Sequence, residues 1–262
     1  MITHLFWPHC GAAAAADSPV AKTSAGFVSR RRRSGGHAKA GLSTRDGGNV
    51  VLGKTRSGIP VGEFPFRQRS IPGNGQWRLL QAGRLIGKKG LKTTLRAFAK
   101  FRKEFPAARL TIAGEGPQLA ELQSLARELH LAKAIDFAGF VSQEKLRELF
   151  YNAHIFLHPS ETGRDGNQEG VPNSMLEAMA SGLPVFATRH GGIPEAVENN
   201  VSGILVNERD HGALADGLIE ILKSPDRLRT MGCLASESVA RNFSQTEQAR
   251  RLEEIYLREI GC

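Results

Sequence analysis

From Trp77 onward the chain alternates short apolar runs with longer amphipathic stretches, and no other feature narrows its possible folds so far. Short apolar runs read as buried strands, while apolar residues recurring every three or four positions read as helices packed by one face. Strands are predicted at Trp77–Ala82, Arg109–Ala113, Ile135–Ala138, His154–His158, Pro184–Ala187 and Gly203–Val206. Helices are predicted at Leu91–Glu104, Pro117–His130, Ser142–Asn152, Pro172–Ser181, Asp210–Lys223, Asp226–Arg241 and Ser244–Glu259. Ser142 is placed as an N-cap, Pro172 suits a first helical position, and Ser244 to Glu247 spell a capping box. So long an alternation implies an α/β fold: a Rossmann-like, mostly parallel sheet with helices on both faces. Right-handed crossovers then gather every strand-to-helix loop at the C-terminal edge of the sheet, where ligands of such folds bind.

The formal charge of +9 over 262 residues suggests a nucleic-acid partner only until its distribution is read. Residues 1–70 hold 11 Lys and Arg against 3 Asp and Glu, whereas residues 71–262 hold 24 against 23. A folded nucleic-acid reader carries its basic footprint on the domain, so no nucleic-acid partner is expected. Residues 1–57, with the Arg30–Arg33 run and an Ala/Gly/Ser-rich composition, read as a disordered or non-homologous leader. The start lacks a basic n-region and is broken by Pro8 and His9, so it does not read as a secretory signal. The three cysteines, Cys10, Cys233 and Cys262, have neither metal-ligand spacing nor a disulfide framework. No apolar run approaches the ~18 residues that span a bilayer.

Two predicted loops at the C-terminal edge carry chemistry. The first, Gly83 to Gly90, combines glycines with Arg84, Lys88 and Lys89, a planar fork and mobile point charges suited to phosphoryl oxygens. The second runs from Glu169 through Gly170, Val171, Pro172, Asn173 and Ser174 to Glu177. Helix-opening amides near Asn173 and Ser174 would point the positive end of the helix dipole over the sheet edge. Two acids also allow a glycoside hydrolase dyad. Along a helix they would stand about 12 Å apart at ~1.5 Å per residue, beyond the ~5–9.5 Å that hydrolases use, although a bent loop could close the gap. His154 and His158 read as structural, His190 as either donor-facing or solvated, and Met175 and Met179 as ordinary packing.

Glu169 and Glu177 enclose seven residues, which resembles the E-x7-E motif of family-four retaining glycosyltransferases, and Leu176 to Val185 matches that family's text. Gly83-Arg84-Leu85 with Lys89-Gly90 is similar to its phosphate loop. Ile112 to Pro117, Gly139-Phe140-Val141 and Gly191 to Glu195 are similar to its other recurring segments. Arg164 to Gly170 further resembles the colanic-acid and amylovoran branch of exopolysaccharide synthesis. The resemblance implies the C-terminal, donor-binding half of a two-domain GT-B enzyme over residues 77–262, with 58–76 as inter-domain linker.

It also implies roles. Arg84 and Lys89 bind the donor diphosphate, Glu169 contacts the transferred sugar, and Glu177 contacts the ribose. Gly83, Gly170, Val171, Pro172, Asn173 and Ser174 line the phosphates, and the base rests beside Val141. The implied co-substrate is a nucleotide-diphosphate sugar, UDP-sugar above others, with no further cofactor and no metal. The acceptor would be a saccharide or a lipid-linked saccharide, and the location cytoplasmic or peripheral at the inner face of the membrane. Because the family needs a preceding acceptor domain, the alternative is a truncated or split-subunit donor-binding module, inactive without an N-terminal acceptor domain that a separate chain would have to supply. A sugar epimerase or phosphorylase on the same architecture is the third reading.

Overall fold

The computed structural model describes residues 41–43, 49–51, 58–163 and 165–260, so the Arg30–Arg33 run and most of the expected leader lie outside the described residues. Within that leader β1 (Gly41–Ser43) and β2 (Asn49–Val51) pair antiparallel, a detail that the local composition does not foreshadow. The remaining elements alternate as β3 (Arg78–Ala82), α1 (Leu91–Glu104), β4 (Arg109–Ala113), α2 (Leu119–Glu128), β5 (Ile135–Gly139), α3 (Gln143–Asn152) and β6 (Ile155–His158). They continue with α4 (Asn173–Ala180), β7 (Val185–Thr188), α5 (Ile193–Ala196), β8 (Gly203–Val206), α6 (His211–Leu222), α7 (Pro225–Asn242) and α8 (Gln245–Ile260).

Strands β3 to β8 form one parallel sheet in the order β5-β4-β3-β6-β7-β8. The chain starts in the middle, builds outward through β4 and β5, then returns to add β6 on the other side of β3. That reversal opens a crevice between the loops leaving β3 and β6, the usual ligand position in an open α/β sheet. Both faces are buried, as the continuous apolar runs require. Leu79 of β3 with Ile155 and Leu157 of β6 packs into one apolar cluster, while Leu80 and Phe156 pack into the other. Each successive side chain changes face, so one strand feeds two cores.

Local signals explain most boundaries. In α1, Leu91, Leu95, Phe98 and Phe101 share one face and are fully buried. Ser142 caps α3 by accepting the Lys145 amide at 3.2 Å. Pro172, expected inside α4, instead occupies its N-cap: its ψ of 126° is extended, and its carbonyl takes the first helical amides. The helix predicted from Pro117 begins at Leu119: Gln118, with ψ of 1°, is its N-cap, whose carbonyl accepts the Leu122 amide while its own amide donates to the Leu85 carbonyl. The Glu247 carboxylate holds Arg250 and Arg251 on its own helix. The single turn α5 is too short to show a helical period in the sequence.

Residues preceding the sheet are packed onto it. Ile59 and Phe64 are buried in the second cluster, and the Arg67 amide donates to the Ser181 carbonyl at 3.1 Å. Arg69 is almost buried, and its Nη2 donates to Phe150 O at 3.1 Å and Ser181 Oγ at 2.9 Å. Burial pushes its guanidinium down to about 10. Arg69 thereby ties the ends of α3 and α4 together, fixing the axis along which α4 points at the sheet edge.

Gly90 has φ of 62°, and a Cβ there would collide with the Pro159 carbonyl oxygen. Gly90→Ala is expected to destabilise the fold by at least about 2 kcal/mol, combining a left-handed backbone penalty with a backbone clash. Urea unfolding monitored by circular dichroism checks this; an unchanged midpoint would show that the β3 loop need not approach β6 so closely.

Candidate donor-binding site

The two loops singled out in the sequence meet at the crevice. Lys89 Nζ lies 2.6 Å from Glu169 Oε2, and Lys88 Nζ lies 3.4 Å from Glu169 Oε1. Ser174 Oγ, in the first turn of α4, donates to the carbonyl of Ala82 at the end of β3, at 3.2 Å. The positive end of the α4 dipole therefore abuts the C-terminal end of β3, beside the glycine Gly83 and its basic loop.

The β3 loop is held from beneath by a buried side chain that pattern reading missed. Gln81 Nε2 donates to the Lys89 carbonyl at 2.8 Å, and Gln81 Oε1 accepts from Thr94 Oγ1 at 2.6 Å. A buried amide with both ends bonded is a fixed strut, since breaking either bond would strand a polar group in the core.

Glu169 is gripped from several sides. Its Oε2 also lies 3.2 Å from His158 Nε2 and accepts from Ser160 Oγ at 3.3 Å. Burial pushes the carboxyl up, but hydrogen bonds from His158 and Lys89, with the Lys89 charge, hold it well below the usual carboxylate range. His158 is fully buried, which lowers its affinity for a proton despite Glu169. Beside a carboxylate its Nε2 carries the hydrogen, leaving Nδ1 buried without a partner.

The backbone of Glu169 is fixed by a second histidine. Its amide donates to His190 Nε2 at 3.0 Å, so His190 keeps its hydrogen on Nδ1 and donates it to Glu208 Oε1 at 2.7 Å. Glu208 in turn accepts the Thr162 amide at 2.8 Å. Burial raises the Glu208 carboxyl while these donors lower it, and the balance lies below the ordinary value. Gly191, with φ of 50°, allows this approach, because a Cβ there would collide with the Glu169 carbonyl. His190 is buried, so the solvated reading of its position gives way. His158 and His154 are buried supports, as the structural reading expected: His158 lies against Glu169, and His154 accepts the Arg78 amide at 3.0 Å.

Other candidates fall around this centre. Arg84 is exposed and, with Lys88, lines a cleft of about 940 Å³ that also includes Thr162 and Arg209. Gly170 and Val171 lead into α4 against Gly192, and Val141 packs half-buried on the second cluster. Phe140 beside it is 79% exposed. Glu177, half-buried inside α4, has its carboxyl raised by burial and by Glu63. Among the described residues no three His, Cys, Asp or Glu side chains form a metal-binding group.

Because the folded-state value of Glu169 is depressed, its contribution is present above the ordinary 4.5 and is lost as pH falls toward the folded value. Glu169→Gln is expected to lose less stability than the parent on acidification below that point, measured by urea unfolding at stepped pH. Superimposable pH profiles would show that the carboxylate is not held as described.

Comparison with known proteins agrees with this architecture. Residues 64–236 match the family model for Glycosyl transferases group 1. The chain is 36% identical over 202 residues to the "Putative colanic acid biosynthesis glycosyltransferase WcaL" of Salmonella typhimurium, covering 77% of this chain and 50% of that protein. It is 35% identical over 201 residues to the amylovoran biosynthesis glycosyltransferase AmsK of Erwinia amylovora, covering 77% and 49%. Among solved structures, Anabaena HepE in complex with UDP and glucose superposes with a TM-score of 0.65 at 20% identity, over 75% of this chain and 54% of that one. The chain thus spans about half the length of the curated relatives it matches. With the parallel sheet, the crevice and the paired glutamates already in place, the matched segment decides the family: this chain belongs to the Glycosyl transferases group 1 family.

Proposed function

We propose that the chain binds a nucleotide-diphosphate sugar, UDP-sugar above others, and serves retaining glycosyl transfer to a saccharide or lipid-linked acceptor in exopolysaccharide synthesis. The observation that carries this reading is the convergence of Lys89, Glu169 and the first turn of α4 at one crevice. The relatives named for colanic acid and amylovoran synthesis support the pathway class, and the neighbour solved with UDP and glucose supports the donor class.

In this reading the diphosphate lies over the amide end of α4, with Lys89 and Arg84 taking its oxygens by charge-assisted hydrogen bonds. As the bond between the anomeric carbon and the β-phosphate oxygen breaks, negative charge grows on the departing diphosphate. Fixed cations stabilise that charge more than they stabilise the intact donor. The acceptor hydroxyl attacks from the same face and passes its proton to the departing diphosphate, so the anomeric configuration is retained. Glu169, kept ionised, orients the sugar hydroxyls, while Glu177 reaches the ribose and Val141 flanks the base. The anion-binding surroundings and the family favour transfer over glycoside hydrolysis. We assign no cofactor or metal, and we propose a cytoplasmic location with membrane-borne acceptors met from the inner face.

The second reading, a donor-binding module completed by a separate acceptor-binding domain, rests on the half-length match to the relatives. Calorimetric titration with UDP and UDP-glucose, alongside a turnover assay with and without such a domain, separates the two. Arg84→Ala with Lys89→Ala is expected to weaken donor binding on the order of a hundredfold, the loss of two charge-assisted bonds. Unchanged affinity would remove both residues from the phosphate site.

A further inference from the structure

The opposite edge of the sheet carries a second basic concavity that no part of the transfer reaction uses. A cleft of about 320 Å³ is lined by Arg78, Arg102, Arg109 and Lys133, together with Gln76 and Pro106. Arg78 opens β3, Arg109 opens β4, Lys133 stands just before β5, and Arg102 lies in the last turn of α1. All four therefore sit at the N-terminal edge, across the sheet from Lys89 and Glu169.

This cluster is not a by-product of a basic domain. Residues 71–262 carry 24 cationic against 23 anionic side chains, yet four cations gather here without a carboxylate in the lining. None of the four makes an ion pair with a described carboxylate, whereas Lys92, Lys100 and Lys145 nearby in sequence each do. Arg78 and Arg109 are paired in the register of β3 and β4, with the Arg78 guanidinium turned toward Asn152 and His154 and the Arg109 guanidinium toward Lys133.

The guanidinium groups are also preorganised. Arg78 Nε donates to the Asn152 carbonyl and its Nη2 lies 3.2 Å from His154 Nε2, Arg102 Nη2 donates to the Pro106 carbonyl, and Arg109 Nη1 to the Lys133 carbonyl. These carbonyls orient the forks but, as neutral dipoles, leave the full charges uncompensated. Each guanidinium has five N–H donors, so most remain available, and Arg102 Nε is buried with no acceptor. Oriented forks with unspent donors and net positive charge select a group with several anionic oxygens. The cleft volume lies at the small end of the range for ligand sites, roughly 300–1,000 Å³.

The geometry points to a second oxyanion site at the N-terminal edge, formed by Arg78, Arg102, Arg109 and Lys133 and selective for a phosphoryl group. The phosphoryl group can come from a soluble phosphate compound or from a lipid headgroup, and the experiment distinguishes these sources. The full chain carrying Arg84→Ala and Lys89→Ala, which disables phosphate binding at the other edge, is titrated calorimetrically with inorganic phosphate at constant ionic strength. The same protein is sedimented with phosphatidylcholine vesicles with and without phosphatidic acid. Saturable phosphate binding that weakens roughly tenfold or more on adding Arg109→Gln and Lys133→Gln supports the site with a soluble ligand. Sedimentation with acidic vesicles alone, lost in the same variant, supports it with a headgroup ligand. Both substitutions are at exposed positions, and Arg102→Gln provides an independent check with circular dichroism as the fold control. Absence of both signals, or signals indifferent to all three substitutions, overturns the proposal.

Discussion

A carboxylate placed in the mouth of a parallel sheet has to be held there by donors, because burial alone would drive it neutral or out to solvent. Glu169 is held by Lys89 and His158 through its carboxylate and by His190 through its backbone amide. Those partners come from the loop after β3, from the end of β6 and from the loop after β7. One side chain thus fixes three loops relative to each other, and with them the start of α4. Removing His190 leaves the Glu169 amide without its acceptor, and removing Lys89 or His158 strips a donor from a carboxylate that burial would otherwise neutralise.

Much of this was legible in the sequence, for a physical reason. A strand buried on both faces must be apolar throughout, and a helix packed by one face must repeat every three to four residues, so β4, α1 and β8 were readable to the residue. Where a backbone angle decided a boundary the pattern failed, as at Gln118, whose ψ of 1° makes it the N-cap and not a residue of the helix. Pro172 shows the same limit: composition marks a helix start, but whether the proline caps or enters the helix depends on its ψ angle.

The candidate site was legible in its charges and glycines and illegible in its supports. Arg84, Lys89, Glu169 and the start of α4 carry a chemical signature that spacing alone suggests. Gln81, His158, His190 and Glu208 do not, since a polar residue inside an apolar strand or a lone histidine in a loop has no period. The position of Gln81 between Leu80 and Ala82, in the buried part of its strand, was the one available clue, because a buried amide there needs partners on a neighbouring element. The two sheet edges also differ in kind: the C-terminal edge pairs Lys88 and Lys89 with Glu169, whereas the cleft at the N-terminal edge gathers cations without acids in its lining.

Two loops and one helix end meet at a single crevice, the place we propose for the donor diphosphate. The most direct measurement is a crystal structure of the chain grown with UDP. The account predicts both phosphoryl groups between Lys89 and the amide end of α4, within hydrogen-bond distance of the Lys89 ammonium. A diphosphate seated elsewhere, with Lys89 and Glu169 undisturbed and the crevice vacant, would contradict it.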